Sequence, residues 1–240
     1  ITLLQGEVEM TTNTKIKGGV NTDLQHESAI KHVTGRAEYC DDIPEPIGTL
    51  HAYLALSDVA HANIKSVDLS KVKSAAGVVG VLTADDIPGV NDVSPTGLND
   101  EPIFATDKVE FWGQPIFAVV AETRDAARRA AHLADIDYEK LPHVTDVMEA
   151  KRAGYPHVTA PLKLERGDVE PALENAKHRI KGRMKVGGQD HMYLEGHIAF
   201  AIPGEDEDVM VHSSTQHPSE AQHMVAHVLG ISSNAVTVNV

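Results

Sequence analysis

Thiols are scarce in this chain: a single cysteine, Cys40, stands among 240 residues. One thiol forms no internal disulfide, no cysteine-based zinc site and no iron–sulfur cluster, since those need two to four thiolates. A redox centre carried here has to be held by other means. Basic charge is scarce as well, with 21 Lys and Arg against 35 Asp and Glu and a net charge of -14. That balance repels phosphate backbones and anionic lipid, and sets nucleic acid and membranes aside as partners. Long apolar runs are missing too. No window approaches the roughly 18 consecutive apolar residues of a spanning helix, and the first residues lack the basic-then-apolar plan of a signal peptide. The expectation is a soluble, cytoplasmic protein, and 42% hydrophobic residues supply a packed core.

What is present divides into units. Residues 1–31, with "TTNTK" and "NTDLQHES", read as a poorly ordered leader. From residue 32 the texture changes. "TLHAYLALS" (residues 49–57) alternates as a strand, while "VVGVLT" (78–83) and "QPIFAVVAE" (114–122) are buried apolar runs. "VDLSKVKSAAG" is a short helix candidate, and "TRDAARRAAHLA" (123–134) predicts an alanine-rich helix with Thr123 as N-cap. "DIDYEKLP" then returns as a strand. The pattern places one α/β or α+β domain over residues 32–145.

Pro142, Pro156 and Pro161 limit regular structure across a linker placed at residues 146–166. A second unit, residues 167–240, opens with a short helix in "GDVEPALENA". It continues with three strand candidates, "KHRIKGRMKVGG", "HMYLEGHIAFAIPG" and "DVMVHSST". "QHPSEAQHMVAHVLGI" predicts a helix with Pro218 in its first turn, Met224, Val225, Val228 and Leu229 as its stripe, and Gly230 at its C-terminal cap. "AVTVNV" starts a further strand, so the second unit reads as the beginning of a longer domain.

Two clusters of polar residues invite a chemical reading. His223 and His227 lie four residues apart on one helix face, with His217 upstream. This spacing suits zinc, but no adjacent glutamate and no third ligand with a spacing of its own accompany it, so a solvated helix face is the preferred reading. The second cluster is "GGQDHMYLEGH". On a strand, His191, Tyr193, Glu195 and His197 would point to one side. Periodicity alone makes that a half-exposed strand with a wet polar face. Its entry differs: Gly187 and Gly188 let a bulky group approach the backbone, and Gln189 presents both a donor and an acceptor. "TGRAEYCDDIP" and "FWGQPIFAVVAET" read as structural, with Gly113 and Pro115 shaping a turn and no catalysis assigned.

"HVTGRAEYCDDIP", "FWGQPIFAVVAET", "GGQDHMYLEGH" and "SSTQHPSEAQHMVAHVLG", in this order, resemble the molybdopterin-binding large subunit of bacterial xanthine dehydrogenases, within the molybdenum hydroxylase family. The family usually has glutamate and phenylalanine where this chain has Asp190 and Met192. The resemblance implies an α+β chain: an α/β hammerhead domain at residues 32–145, then the start of a mixed α/β molybdopterin-binding domain. It implies that Gln189 hydrogen-bonds the oxygen ligand of molybdenum and that Gly187 and Gly188 give the cofactor room. The metal is held by the pterin dithiolene, which is compatible with one cysteine. Iron–sulfur clusters and FAD are implied on other domains or on a partner small subunit, with electrons passed to NAD.

The implied activity is hydroxylation of hypoxanthine and xanthine to urate, by an oligomer of heterodimers. The family's glycine-rich loop, substrate arginine and catalytic glutamate are expected later in the sequence, so no catalytic residue is assigned here and these 240 residues alone are expected to be inactive. A related hydroxylase acting on aldehydes or other N-heterocycles would share the same motifs. A non-catalytic assembly module would also fit them.

Overall fold

The computed structural model describes residue 19 and residues 23–240. Most of the leader assigned to residues 1–31 lies outside them. The described part begins with a short helix, α1 (Ala29–Thr34), which crosses the expected boundary and ends on Gly35 in the left-handed conformation. A 3-10 turn, Cys40–Asp42, leads toward the first strand.

The first unit comprises β1 (His51–Leu56), β2 (Ala62–Asp68), α2 (Ser70–Lys73), β3 (Val78–Leu82), β4 (Lys108–Val109), β5 (Pro115–Ala121), α3 (Arg124–Ala131) and β6 (Asp135–Lys140). They form two three-stranded sheets, ordered β1-β5-β3 and β4-β2-β6. The apolar run of β5 sits between β1 and β3, antiparallel to both. Phe117, Val119 and Ala121 are fully enclosed there. Pro115 opens this central strand, where its missing N–H costs no rung of the ladder. Across the sheet lies α3, whose Ala127, Ala130 and Ala131 are buried and small enough for helix and strand to approach closely. The Thr123 hydroxyl accepts a hydrogen bond from the Ala126 amide at 3.1 Å, the expected N-cap.

Before β5 the chain turns at Gly113, whose φ of 85° a side chain would strain. Ser57 secures that turn: its hydroxyl accepts from the Gly113 and Gln114 amides and donates to the Phe111 carbonyl, all at 3.2 Å. The loop between β3 and β4 is laced as tightly. The Asn91 side chain bonds both the amide and the carbonyl of Phe104. Buried Asp92 accepts from Ser94 and from the Glu101 amide.

The proline-bearing bridge is not free of regular structure: α4 (Val147–Ala153) falls inside it, capped by Asp146 at its start and by Gly154 at its end. Next comes α5 (Val169–Glu174), the short helix expected from "GDVEPALENA". Of the three strand candidates that follow, the structure forms β8 (Val209–Ser213) and only the end of the second, β7 (Ala199–Pro203). Residues 177–188 form no strand, and Ile180 and Met184 stand exposed. Alternation sorts side chains between two faces, but a strand also needs a neighbour's backbone for its hydrogen bonds, and no described residues pair with this stretch.

The helix α6 (Pro218–Leu229) has Pro218 in its first turn and Gly230 in the left-handed conformation at its end, and it connects β8 to β9 (Val236–Asn239). Strands β8 and β9 run parallel while β7 and β8 run antiparallel, so this third sheet, ordered β7-β8-β9, is mixed. Its core is small: Val211, Ala226 and Val236 are buried, with Val209, Val225, Ile231 and Val238 against them.

Candidate functional site

The stretch singled out in the sequence keeps its ring cluster but not its strand. Met192 adopts φ 51°, and its amide donates to the Asp190 carboxylate at 2.9 Å, a local turn that breaks the extended backbone. The rings still gather: His191 and Tyr193 stack with centroids 5.3 Å apart, and Tyr193 meets His197 edge-on at 6.1 Å. They share one side through bends rather than through a two-residue repeat.

Glu195 ties this cluster to the first unit. Its carboxylate accepts the Cys40 amide hydrogen at 2.8 Å, across 155 residues of sequence. Burial, the Glu195 charge with a hydrogen bond to it, and Asp41 push the Cys40 thiol above its ordinary value. Further along, the Ser214 hydroxyl accepts from the Ile198 amide at 3.1 Å and donates to the Gly196 carbonyl at 3.0 Å. The end of the cluster is thereby sewn to the end of β8.

Beside these contacts lies an open cleft of about 860 Å³ lined by Tyr39, by residues 193–195 and 197–199, by residues 213–217 and by Val240. Three separated sequence motifs meet there. A second cleft of about 680 Å³ lies between β7 and residues 40–52, with Arg124 at its edge. Arg124 bridges Glu45 at 2.8 Å and Asp41 at 3.7 Å.

Gly187, Gly188 and Gln189 are exposed and belong to the lining of neither cleft. A Cβ built on either glycine meets nothing within 4 Å, so the backbone there is open to a large group. An exposed amide beside such a backbone, next to imidazole, phenol and carboxylate groups, is a donor and acceptor set suited to a polar organic cofactor that brings its own metal ligands. The histidines of α6 are placed differently. His223 pairs with the Ser233 hydroxyl at 3.1 Å, and no group of three or more metal-ligating side chains is arranged around an ion among the described residues.

Sequence reasoning gave no cleft-lining role to Tyr39, Cys40 or the Ser213–His217 run, and weighed His217 only beside the histidines of α6. The first two lie in "TGRAEYCDDIP", read as purely structural, yet that stretch supplies the cleft wall and the amide that meets Glu195. The signal available was the presence of both stretches among the family-like motifs. Their adjacency is a tertiary fact that no local pattern carries.

A family model described as aldehyde oxidase and xanthine dehydrogenase, a/b hammerhead domain, matches residues 34–142. A molybdopterin cofactor-binding domain model matches residues 152–240. The chain is 43% identical over 222 residues to xanthine dehydrogenase of Dictyostelium discoideum, covering 92% of this chain and 16% of that protein. It is 38% identical over 244 residues to aldehyde oxidase 2 of Rattus norvegicus, covering 100% of this chain and 18% of the relative. It therefore spans about a sixth of the length of these relatives. Among solved structures, the aldehyde oxidoreductase from Desulfovibrio gigas superposes with a TM-score of 0.76 at 28% identity, over 88% of this chain and 25% of the other. Quinoline 2-oxidoreductase from Pseudomonas putida 86 does so with 0.72 at 25%, over 90% and 29%.

Proposed function

Since the chain belongs to the xanthine dehydrogenase family of molybdenum hydroxylases, as its hammerhead and molybdopterin-binding part, we propose that it serves an enzyme oxidising hypoxanthine and xanthine to urate. The observation that carries this reading is the convergence of three family-like motifs on one cleft. In this reading the hammerhead domain spans residues 32–145, and the exposed segment Gly187, Gly188 and Gln189 faces the cofactor. The glycines admit it, and the Gln189 amide orients it by hydrogen bonding at its oxygen side. The cofactor, when bound, supplies the two-electron oxidation of substrate.

Iron–sulfur and FAD centres would lie on other domains or on a small subunit, in an oligomer of heterodimers reducing NAD in the cytoplasm. Supporting the purine reading, relatives named xanthine dehydrogenase are 43% and 44% identical to this chain. An aldehyde-acting hydroxylase is the second reading, favoured by the structural likeness to the aldehyde oxidoreductase.

The test is steady-state oxidation by the assembled enzyme carrying Gln189→Ala, with xanthine and with an aldehyde, normalised to molybdenum content. Losing one hydrogen bond to the bound cofactor lowers turnover by roughly two-fold to two-hundred-fold. A normalised rate equal to wild type removes Gln189 from the site. Preference for the aldehyde selects the second reading, and absence of co-purifying molybdenum and pterin selects a non-catalytic module.

A further inference from the structure

Among the described residues, two hydrogen-bonded connections join the units. At the first, the Glu195 carboxylate receives the Cys40 amide hydrogen at 2.8 Å. At the second, the Gly89 and Val90 amides donate to the Val228 and His227 carbonyls, at 2.8 and 3.3 Å. Those carbonyls sit in the last turn of α6, where carbonyls run short of helical amide donors, although the Gly230 amide also reaches the His227 carbonyl at 3.3 Å. The Gly89 connection fixes α6 but lies far along the chain from residues 187–197. Among the described residues, the hydrogen bond from Cys40 to Glu195 is the one that joins the first unit to the cluster following Gln189.

We infer that Glu195 is a positioning residue, whose carboxylate, by accepting the Cys40 amide, fixes where the segment from Gly187 to His197 lies on the hammerhead domain. Three observations converge on it. Glu195 is half-buried while its neighbours Leu194 and Gly196 are exposed, so its side chain is the one turned into the protein. The bond spans 155 residues, so it constrains tertiary placement rather than local conformation. The segment it holds has no strand pairing, being irregular with bends at residues 194, 195 and 197. Its bearing on cofactor orientation rests on the proposed role of Gln189, whereas the tether itself does not.

Cys40 gives a readout independent of turnover. Its thiol lies beside the same carboxylate and is held protonated by burial, by the Glu195 charge and hydrogen bond, and by Asp41. The experiment measures amide hydrogen exchange at Cys40 and alkylation of its thiol by iodoacetamide at pH 8, in the 240-residue chain and three variants. Glu195→Ala removes acceptor and charge, and Cys40 amide exchange accelerates roughly three- to tenfold. Glu195→Gln keeps an oxygen that still accepts the amide hydrogen but removes the charge. Amide exchange then stays within about twofold of the parent chain while alkylation speeds up several-fold. Gln189→Ala changes neither. Unaltered Cys40 exchange in Glu195→Ala overturns the tether, as does unaltered alkylation in Glu195→Gln, the milder change should the alanine variant unfold. If this pattern holds and Gln189→Ala leaves normalised turnover intact, the Gln189 reading fails and the tether stands.

Discussion

The two units enclose very different amounts of apolar side chain. In the first, twelve buried residues form one cluster around Phe117, Val72, Val109 and Val119, sealed by α3 and by side chains of both sheets. In the second, three buried residues, Val211, Ala226 and Val236, make the whole cluster. Beyond it, Leu162, Leu164, Ile180 and Met184 stand largely in solvent. A core of the first kind sustains itself, because burial scales with the apolar area removed from water. The second unit depends more on what it leans against, and the two hydrogen-bonded connections to the first unit, at Glu195 and at the end of α6, are its footholds. Binding regions are drawn from such loosely held segments, while rigid scaffolds position them.

The comparison breaks most sharply at Phe117. It is fully enclosed, and Phe117→Ala leaves a cavity that costs about 3–5 kcal/mol. Chemical denaturation should show that loss in the first unit, with proteolysis shifting from residues 141–167 into residues 49–134. A mild effect would mean that the large core is less decisive than its enclosure suggests.

Gly89→Ala sharpens the comparison from the other side. A Cβ there would sit 2.2 Å from the His227 carbonyl oxygen, 2.7 Å from the Gly230 nitrogen and 2.8 Å from the Val228 carbonyl oxygen. All three are backbone atoms that cannot swing aside, so the loop must separate from α6 at about 1–3 kcal/mol. Hydrogen exchange should accelerate at the end of α6 while the β5 amides stay protected. Equal loosening of both would show that the units do not move independently.

The smallest effect belongs to Thr123→Ala, which deprives the Ala126 amide of its acceptor and costs about 0.5–2 kcal/mol. A melting curve should show it confined to the first unit. Replacing Thr123 by serine should restore most of the difference.

What could be read from the sequence follows the same division. The apolar run of β5, the Thr123 cap and the ends of α6 at Pro218 and Gly230 are local signals, because each residue's conformational preference acts on its own neighbours. Strand β2 escaped notice because "ANIKSVD" has only its first residue buried, leaving no apolar rhythm to detect. Residues 177–188 misled in the opposite direction, carrying the rhythm without a partner. Within the candidate site, the Tyr193 ring and its histidine neighbours were legible as a cluster. The contact of Glu195 with Cys40 was not, since it depends on how two distant loops are brought together.

The seat that Gly89 makes against α6 also sets a schedule for synthesis. Residues 89 and 90 are on the surface that receives the helix, and the carbonyls that their amides bind belong to residues 228 and 227 respectively. A ribosome adding roughly 5–20 residues per second completes β6, at Lys140, some 4 to 18 seconds before it reaches Gly230. That interval is long against the milliseconds to seconds in which small α/β domains fold. The receiving surface is thus ready before the helix exists, and α6 emerges to meet a finished template.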